Sequence, residues 1–316
     1  MADTVLPSTI DTVLSTSLAD YRRTLIDNIF NGIPLWTWFN VNGRVRRVDG
    51  GITHIEHPMF SKSTAVGGYK GYGTLDTTPQ EFALLAEYEW QQAYATITIS
   101  RREERQNAGG HKLIDLLAAK TQHAEMSLRD KLGSASMKVT TGFNEFEPLS
   151  ALIDSTGTVG GLAQSSNSWW ASTETASGSF ASQGLSDMRT LFNTISADGS
   201  SDHPDAIFST QSVFEFYEAL LEPKERIMNT MMADAGIRNL EFKGIPFTYD
   251  QYCDSGILYM LNSKYLSLVI DDASDFVTTE FVRPTNQDAK TAAILFMGLT
   301  SLSNRRRQGK LTGITA

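Results

Sequence analysis

One helix constrains this chain more than any other feature. After Gly109-Gly110, the residues Ile114, Leu117, Thr121, Ala124, Leu128 and Leu132 recur at the spacing of a single helical face. The pattern predicts a helix over 110–132, stopped by Gly133. About 23 residues at about 1.5 Å each make a rod of roughly 35 Å, which is long for a globular domain. A rod of that length lies naturally along an extended β layer. Two stretches offer one. Leu84 to Ser100 reads as strand, with β-branched residues concentrated in Tyr94–Ser100, and a long final strand spans about Ala292 to Ser303. Rod and sheet together predict a flat plate.

The flanking regions differ in character. Residues 9–30 carry Ile10, Val13, Leu14, Leu18, Tyr21, Leu25 and Ile29 near helical spacing, with Gly32 and Pro34 as stops. The Ser and Thr content of the first part also fits a loose arm. Val41 to Val48 reads as a turn followed by a basic strand. The run Gly67-Gly68-Tyr69-Lys70-Gly71-Tyr72-Gly73 is too rich in glycine for a core element and reads as a mobile loop tip or hairpin end. Residues 139–183 hold few aliphatics, yet Trp169-Trp170 argues for irregular ordered structure over a linker. From 184 the pattern is α/β. A helix opens at Leu185 with Ser186 as N-cap, and a strand spans Asp205–Thr210. A second helix runs through Phe214, Tyr217, Leu220 and Leu221 to about Pro223. Strands follow at 240–248, 256–261 and 265–270.

Composition narrows the function. The 27 basic residues face 36 acidic ones, a formal net charge of −9. A protein whose main task is binding nucleic acid usually carries a basic face, because phosphate neutralisation supplies most of its affinity. Here four of the 27 basic residues cluster near the end, in Arg305, Arg306, Arg307 and Lys310. The hydrophobic share of 41 % supports a real core. Cys253 is the single cysteine, so no intramolecular disulfide or Cys-x-x-Cys site is expected. The first residues lack the basic and apolar regions of a signal peptide, and Ala292–Leu299 is too short to span a membrane. A soluble protein made in the cytosol is expected.

Candidate chemistry is sparse. In a strand, His54 and Glu56 of His54-Ile55-Glu56-His57 share a face while His57 points away, which fits a polar strand ending at Pro58 better than a metal site. His111 and His123 lie more than three turns apart on the long helix. The acids Asp198, Asp202 and Asp205 are too sparse for a calcium loop and read as a turn into the next strand. The glycine run lacks the Lys-Ser/Thr ending of a phosphate-binding loop. No catalytic residue, metal ligand or cofactor site is expected.

The order of motifs carries a resemblance. The long helix follows a glycine-rich, strand-flanked excursion. Then come Thr158-Val159-Gly160-Gly161, Asn167-Ser168-Trp169-Trp170, and Asp198-Gly199 with His203-Pro204-Asp205. After these stand Phe242-Lys243-Gly244-Ile245-Pro246-Phe247, Leu258-Tyr259-Met260-Leu261-Asn262 and Asn286-Gln287-Asp288-Ala289. Asn304-Arg305-Arg306-Arg307-Gln308-Gly309-Lys310-Leu311 closes the series. In this order, over nearly the whole chain, the series resembles the major capsid proteins of tailed bacteriophages, which share the Hong Kong 97 fold.

The resemblance implies an α+β chain: an N-terminal arm over 1–35, an extended β-hairpin loop over 36–90, and a peripheral domain over 91–150 holding the spine helix. An axial α/β domain over 151–275 follows. Residues 276–316 would form the return strand, paired with the strand at 94–100, and the tail. It implies hexamers and pentamers closing into an icosahedral head around double-stranded DNA, which is contacted non-specifically. The protein would be made in the host bacterial cytoplasm and end in the virion. Partners would be further copies of the chain, a portal, decoration proteins and a scaffold. The scaffold is expected to be separate, because no long helical extension precedes the arm; no membrane contact is expected. Lys62 and Lys70 lie in the loop, but no partner for a crosslink is evident. Interface candidates are Gly67, Gly68, Tyr69, Lys70 and Tyr72 in the loop, and Arg305, Arg306, Arg307 and Lys310 meeting acidic groups of neighbouring copies. An encapsulin-like compartment, an enzyme using 198–205 and a DNA-binding protein using 305–310 are the competing expectations.

Overall fold

Pro34 starts a helix where the sequence suggests a stop. The computed structural model describes residues 32–58, 66–79, 83–106, 110–139, 146–196, 202–221 and 240–316. The expected helix at 9–30 and Lys62 lie outside them. Helix α1 (Pro34–Val41) opens on proline, whose fixed φ and missing N–H suit a first turn. Leu35, Trp36, Trp38 and Phe39 are all buried, so α1 is a core helix. Gly43 then takes φ 63° and turns the chain into β1 (Val45–Val48).

β2 (Thr53–Glu56) pairs antiparallel with β3 (Ala86–Glu89), and the glycine-rich excursion leaves from this ribbon. The continuous strand expected over 84–100 breaks at Trp90, where β4 (Gln91–Ser100) changes partner. After α2 (Arg101–Gln106) comes α3 (Gly110–Met137), 28 residues long and about 42 Å by its rise per residue. Gly133 does not stop it. A Cβ there would sit 2.4 Å from Tyr252 Cε2, so the glycine admits an aromatic ring against the helix.

The tryptophan-bearing region is ordered, as its composition suggests. It holds α4 (Leu149–Leu152), the small pair β5 (Thr158–Val159) and β6 (Leu162–Ala163), and β7 (Thr173–Ala176). Trp170 is buried and donates from Nε1 to the Val159 carbonyl at 3.0 Å. Helix α5 (Leu185–Ile195) grows out of a π-turn over Phe180–Gly184. Ser186 is therefore inside the helix and does not cap it. Next come β8 (Ala206–Ser209) and α6 (Gln211–Leu221). The strand expected over 240–248 is a hairpin of β9 (Leu240–Phe242) and β10 (Ile245–Tyr249). Lys243 and Gly244 take φ 51° and 79°, the left-handed pair a two-residue hairpin requires. The chain ends with β11 (Leu258–Leu261), β12 (Leu266–Asp271), β13 (Val277–Thr278), β14 (Ala289–Leu302) and β15 (Gly309–Thr312).

Two sheets organise these elements. In the first, β14 is the hub. It pairs antiparallel with β4 from Ala289↔Ser100 to Gly298↔Gln91, and on its other edge with β12 and β13; β1 joins β12 in parallel. The second has the order β7-β15-β11-β8-β10-β9. Its central strands β11 and β8 are buried throughout because both faces are covered. In β11, Leu258 and Met260 face α5 and α6. Tyr259 and Leu261 face the opposite core, shared with α1, α3 and the first sheet. β8 splits the same way, with Ile207 on one side and Ala206 and Phe208 on the other. On the shared side Ala124, Leu128 and Leu132 bury the stripe of α3.

Candidate assembly surfaces

The basic C-terminal segment is built into the fold. Asn304 accepts from the Arg306 amide at 3.2 Å and starts a single 3-10 turn over Arg305–Arg307. β15 then runs parallel to β7 and antiparallel to β11. Arg305 is 0 % exposed. It donates from Nε to the Leu152 carbonyl at 2.9 Å and from Nη2 to the Asp154 carbonyl at 3.0 Å. These carbonyls lie at the C-terminal end of α4, where helix carbonyls lack intrahelical donors. Burial lowers the Arg305 pKa, and the nearby acidic groups of Tyr88, Asp154 and Glu147 oppose that.

The neighbouring cations are also engaged. Lys310 is buried, its Nζ 3.4 Å from the Ser150 carbonyl and 3.6 Å from Glu174. Arg307 donates to the Ile195 carbonyl at 3.1 Å and lies 3.5 Å from Asp202. Arg306 alone of the four has an exposed side chain. The expected contact with neighbouring copies is thus corrected for Arg305 and Lys310. Their charged ends complete the subunit's own carbonyls and carboxylates, and both side chains are buried within it.

The acidic loop is a clasp. Asp202 accepts from Tyr265 Oη at 2.7 Å and Asn262 Nδ2 at 3.1 Å. Asp205 accepts from the Ser263 amide at 3.0 Å and from the Ser263 hydroxyl. The two acids pin the turn between β11 and β12 to the start of β8. Asp198 lies outside the described residues. His54 and Glu56 do share a face, 3.1 Å apart. Burial would raise the Glu56 pKa, but hydrogen bonds from His54 and Ser301 and the Arg46 charge outweigh it and hold it lowered. Among the described residues no cluster of three histidine, cysteine or acidic side chains is placed to hold a metal.

The glycine-rich tip is the opposite case. Every residue from 66 to 79 is exposed. Val66, Tyr69, Tyr72 and Leu75 present large apolar groups to solvent, and a Cβ on Gly67, Gly68 or Gly71 would meet nothing within 4 Å. Among the described residues the hydrogen bonds here are local, such as Gly73 N to the Lys70 carbonyl at 3.2 Å and Thr78 N to Asp76 at 3.0 Å. Contiguous exposed apolar groups mark interaction surfaces. A second such surface, which the sequence reading missed, is the open face of the first sheet. There exposed Tyr94 stands opposite exposed Leu295, and Gln92 reaches Met297. Alternation along β4, with Gln92, Tyr94, Thr96 and Thr98 outward, was the available signal.

No protein-family model matches the sequence, and no curated protein sequence does. Solved structures do match. The Cyanophage A-1(L) capsid asymmetric unit aligns over 85 % of this chain and 90 % of its own, with a TM-score of 0.69 at 14 % identity. The fold is the Hong Kong 97-type capsid fold. A chain of an empty GTA particle capsid shares that fold at TM-score 0.55 and 8 % identity, over 86 % of this chain and 95 % of its own. The holo-SrpI encapsulin complex of Synechococcus elongatus shares it at TM-score 0.51 and 9 % identity, over 86 % and 85 %. At such identities the Hong Kong 97-type fold is carried by patterning and packing, not by particular side chains.

Proposed function

We propose that this chain is the major capsid protein of a tailed bacteriophage, assembling as hexamers and pentamers into an icosahedral shell around double-stranded DNA. The observation that carries the proposal is the end-to-end likeness to the cyanophage capsid subunit, covering 85 % of one chain and 90 % of the other. The exposed, aromatic-bearing tip supports it. A subunit that works alone gains nothing from leaving Tyr69 and Tyr72 in water, whereas one that works in an array covers them with a neighbour. On this reading residues 36–90 form the loop that reaches a neighbouring copy, with Gly67, Gly68, Tyr69, Lys70 and Tyr72 at the contact. The first sheet and α3 form the peripheral part, and the six-stranded sheet with α5 and α6 forms the axial part. The role is structural, not catalytic. Scaffold, portal and decoration proteins are its proposed partners, the host cytoplasm its place of synthesis and the virion its destination.

The encapsulin shell is a second reading, favoured by the fold it shares. The likeness is closer to the cyanophage capsid, at 0.69 against 0.51. Contents separate the two. Particles from infected or phage-encoding cells should hold nuclease-protected double-stranded DNA. Particles filled with a single enzyme and no nucleic acid would overturn the capsid assignment in favour of a compartment.

A further inference from the structure

The ribbon that carries the glycine-rich excursion is held to the body in two different ways. β3 is held by packing. Ala86 and Tyr88 are buried, Tyr88 Oη donates to the Leu302 carbonyl at 2.8 Å, and the Glu87 amide donates to the Gly160 carbonyl at 3.0 Å. Gly160 approaches so closely that a Cβ on it would lie 2.9 Å from that of Ala86. β2 is held by charge. None of Thr53–Glu56 is buried. Among the described residues the side-chain hydrogen bonds of β2 meet on a single atom, Glu56 Oε1. That oxygen accepts from Arg46 Nη1 of β1 at 3.0 Å and from Ser301 Oγ of β14 at 3.1 Å, with His54 Nε2 3.1 Å away. Glu56 is also the last residue of β2, where the chain leaves for the excursion.

The other end of β2 is a glycine pair. Gly50 and Gly51 take φ 63° and 119°, a turn that glycine makes without steric cost, and a Cβ on Gly50 would meet nothing within 4 Å. Both glycines are tied down. The Gly50 amide donates to the Asp271 carboxylate at 3.1 Å, and the Gly51 carbonyl accepts from Trp90 Nε1 at 3.0 Å. Ile52, the next residue, is exposed. β2 thus runs from a fixed glycine pivot to a carboxylate clasp. A two-stranded ribbon is marginal in water unless it packs on something. Freed from Arg46 and Ser301, β2 would part from β3 as well as from the first sheet.

We propose that Glu56 is a charge-operated latch on the outgoing arm of the loop: closed, it holds β2 against β1 and β14 and fixes where the loop leaves the body; open, it lets β2 swing on Gly50-Gly51 while β3 stays docked. The use of the latch in assembly rests on the reading of the loop as the contact with a neighbouring copy. The two arms differ in what releases them. The Arg46 side chain is half exposed, so salt screens its pairing with Glu56. Salt does not weaken the apolar packing of Ala86 and Tyr88.

The test is hydrogen exchange on the free full-length subunit, at one pH, as salt rises from about 0.05 M to about 1 M. In the wild type the amides of Thr53–Glu56 should exchange roughly threefold to tenfold faster at high salt, while those of β14 stay flat. Glu56→Ala should show the fast exchange at every salt concentration. Glu56→Gln, which keeps an acceptor oxygen and loses the charge, should fall between the two and ignore salt. Salt-independent exchange of β2 in the wild type, or wild-type exchange in Glu56→Ala, overturns the latch. Should the variants not fold, the wild-type salt series decides alone. Electron microscopy then tests its use: Glu56→Ala should lose most closed particles, and normal particles from a variant whose β2 is loosened overturn the assembly role. A wild type that forms no particles would sink the capsid reading instead, and the exchange series on the free subunit would still decide the latch.

Discussion

The basic segment at 305–310 and the glycine-rich tip at 66–79 both read from sequence as contact surfaces, and the fold treats them oppositely. Arg305 and Lys310 are buried against carbonyls and carboxylates of their own subunit, and Arg307 bonds the end of α5. The tip is exposed along its whole described length, and among the described residues its hydrogen bonds run within it. Charge density says what a segment can bind, not where the partner sits. A guanidinium carries five donors in a rigid fork, so it serves buried carbonyls as well as a neighbour's carboxylate. The tip combines Gly67, Gly68 and Gly71, which no described neighbour crowds, with Tyr69 and Tyr72 left mostly in solvent, and the proposed contact with a neighbouring copy rests on that pattern.

Breaking Arg305 should have the largest effect. Arg305→Ala leaves the Leu152 and Asp154 carbonyls unpaired and opens a cavity, and should cost about 3 kcal/mol or more in denaturant unfolding. Arg306→Ala, next door and exposed, should change stability by less than about 0.5 kcal/mol. Equal effects would erase the contrast. Gly133→Ala comes next. Its methyl would strike the Tyr252 ring and should cost roughly 2 kcal/mol, with the loss appearing in Tm. An unchanged Tm would mean that the glycine does not make room for the ring. The smallest expected effect on the subunit is in the tip. Deleting 66–74, or changing Tyr69 and Tyr72 together to alanine, should leave unfolding within about 0.5 kcal/mol of wild type while closed particles fail to form. Normal particles from either variant would remove the tip from the contact.

The long helix was legible because its period repeats over many turns, and β14 because its apolar run is unbroken. The pairing of β14 with β4 came from the resemblance to phage capsid subunits, and the register bears it out. The misreadings share one physical cause. Gly133 and Pro34 carry the same local signal whether they end, begin or merely thin a helix, and the answer lies with Tyr252 and with the buried tryptophans of α1. Lys243-Gly244 hid a hairpin because the flanking residues are apolar on both sides of the turn. The burial of Arg305 could not be read at all, since its acceptors are backbone carbonyls that any sequence supplies. At the candidate surfaces the tip was legible from its glycines. The face around Tyr94 and Leu295 needed the strand register.

Electron microscopy of the purified protein, with light scattering alongside, tests the central claim most directly. The account predicts closed particles built from hexameric and pentameric units, alone or with a scaffold protein added. Monomers or dimers under every condition, scaffold included, would contradict it.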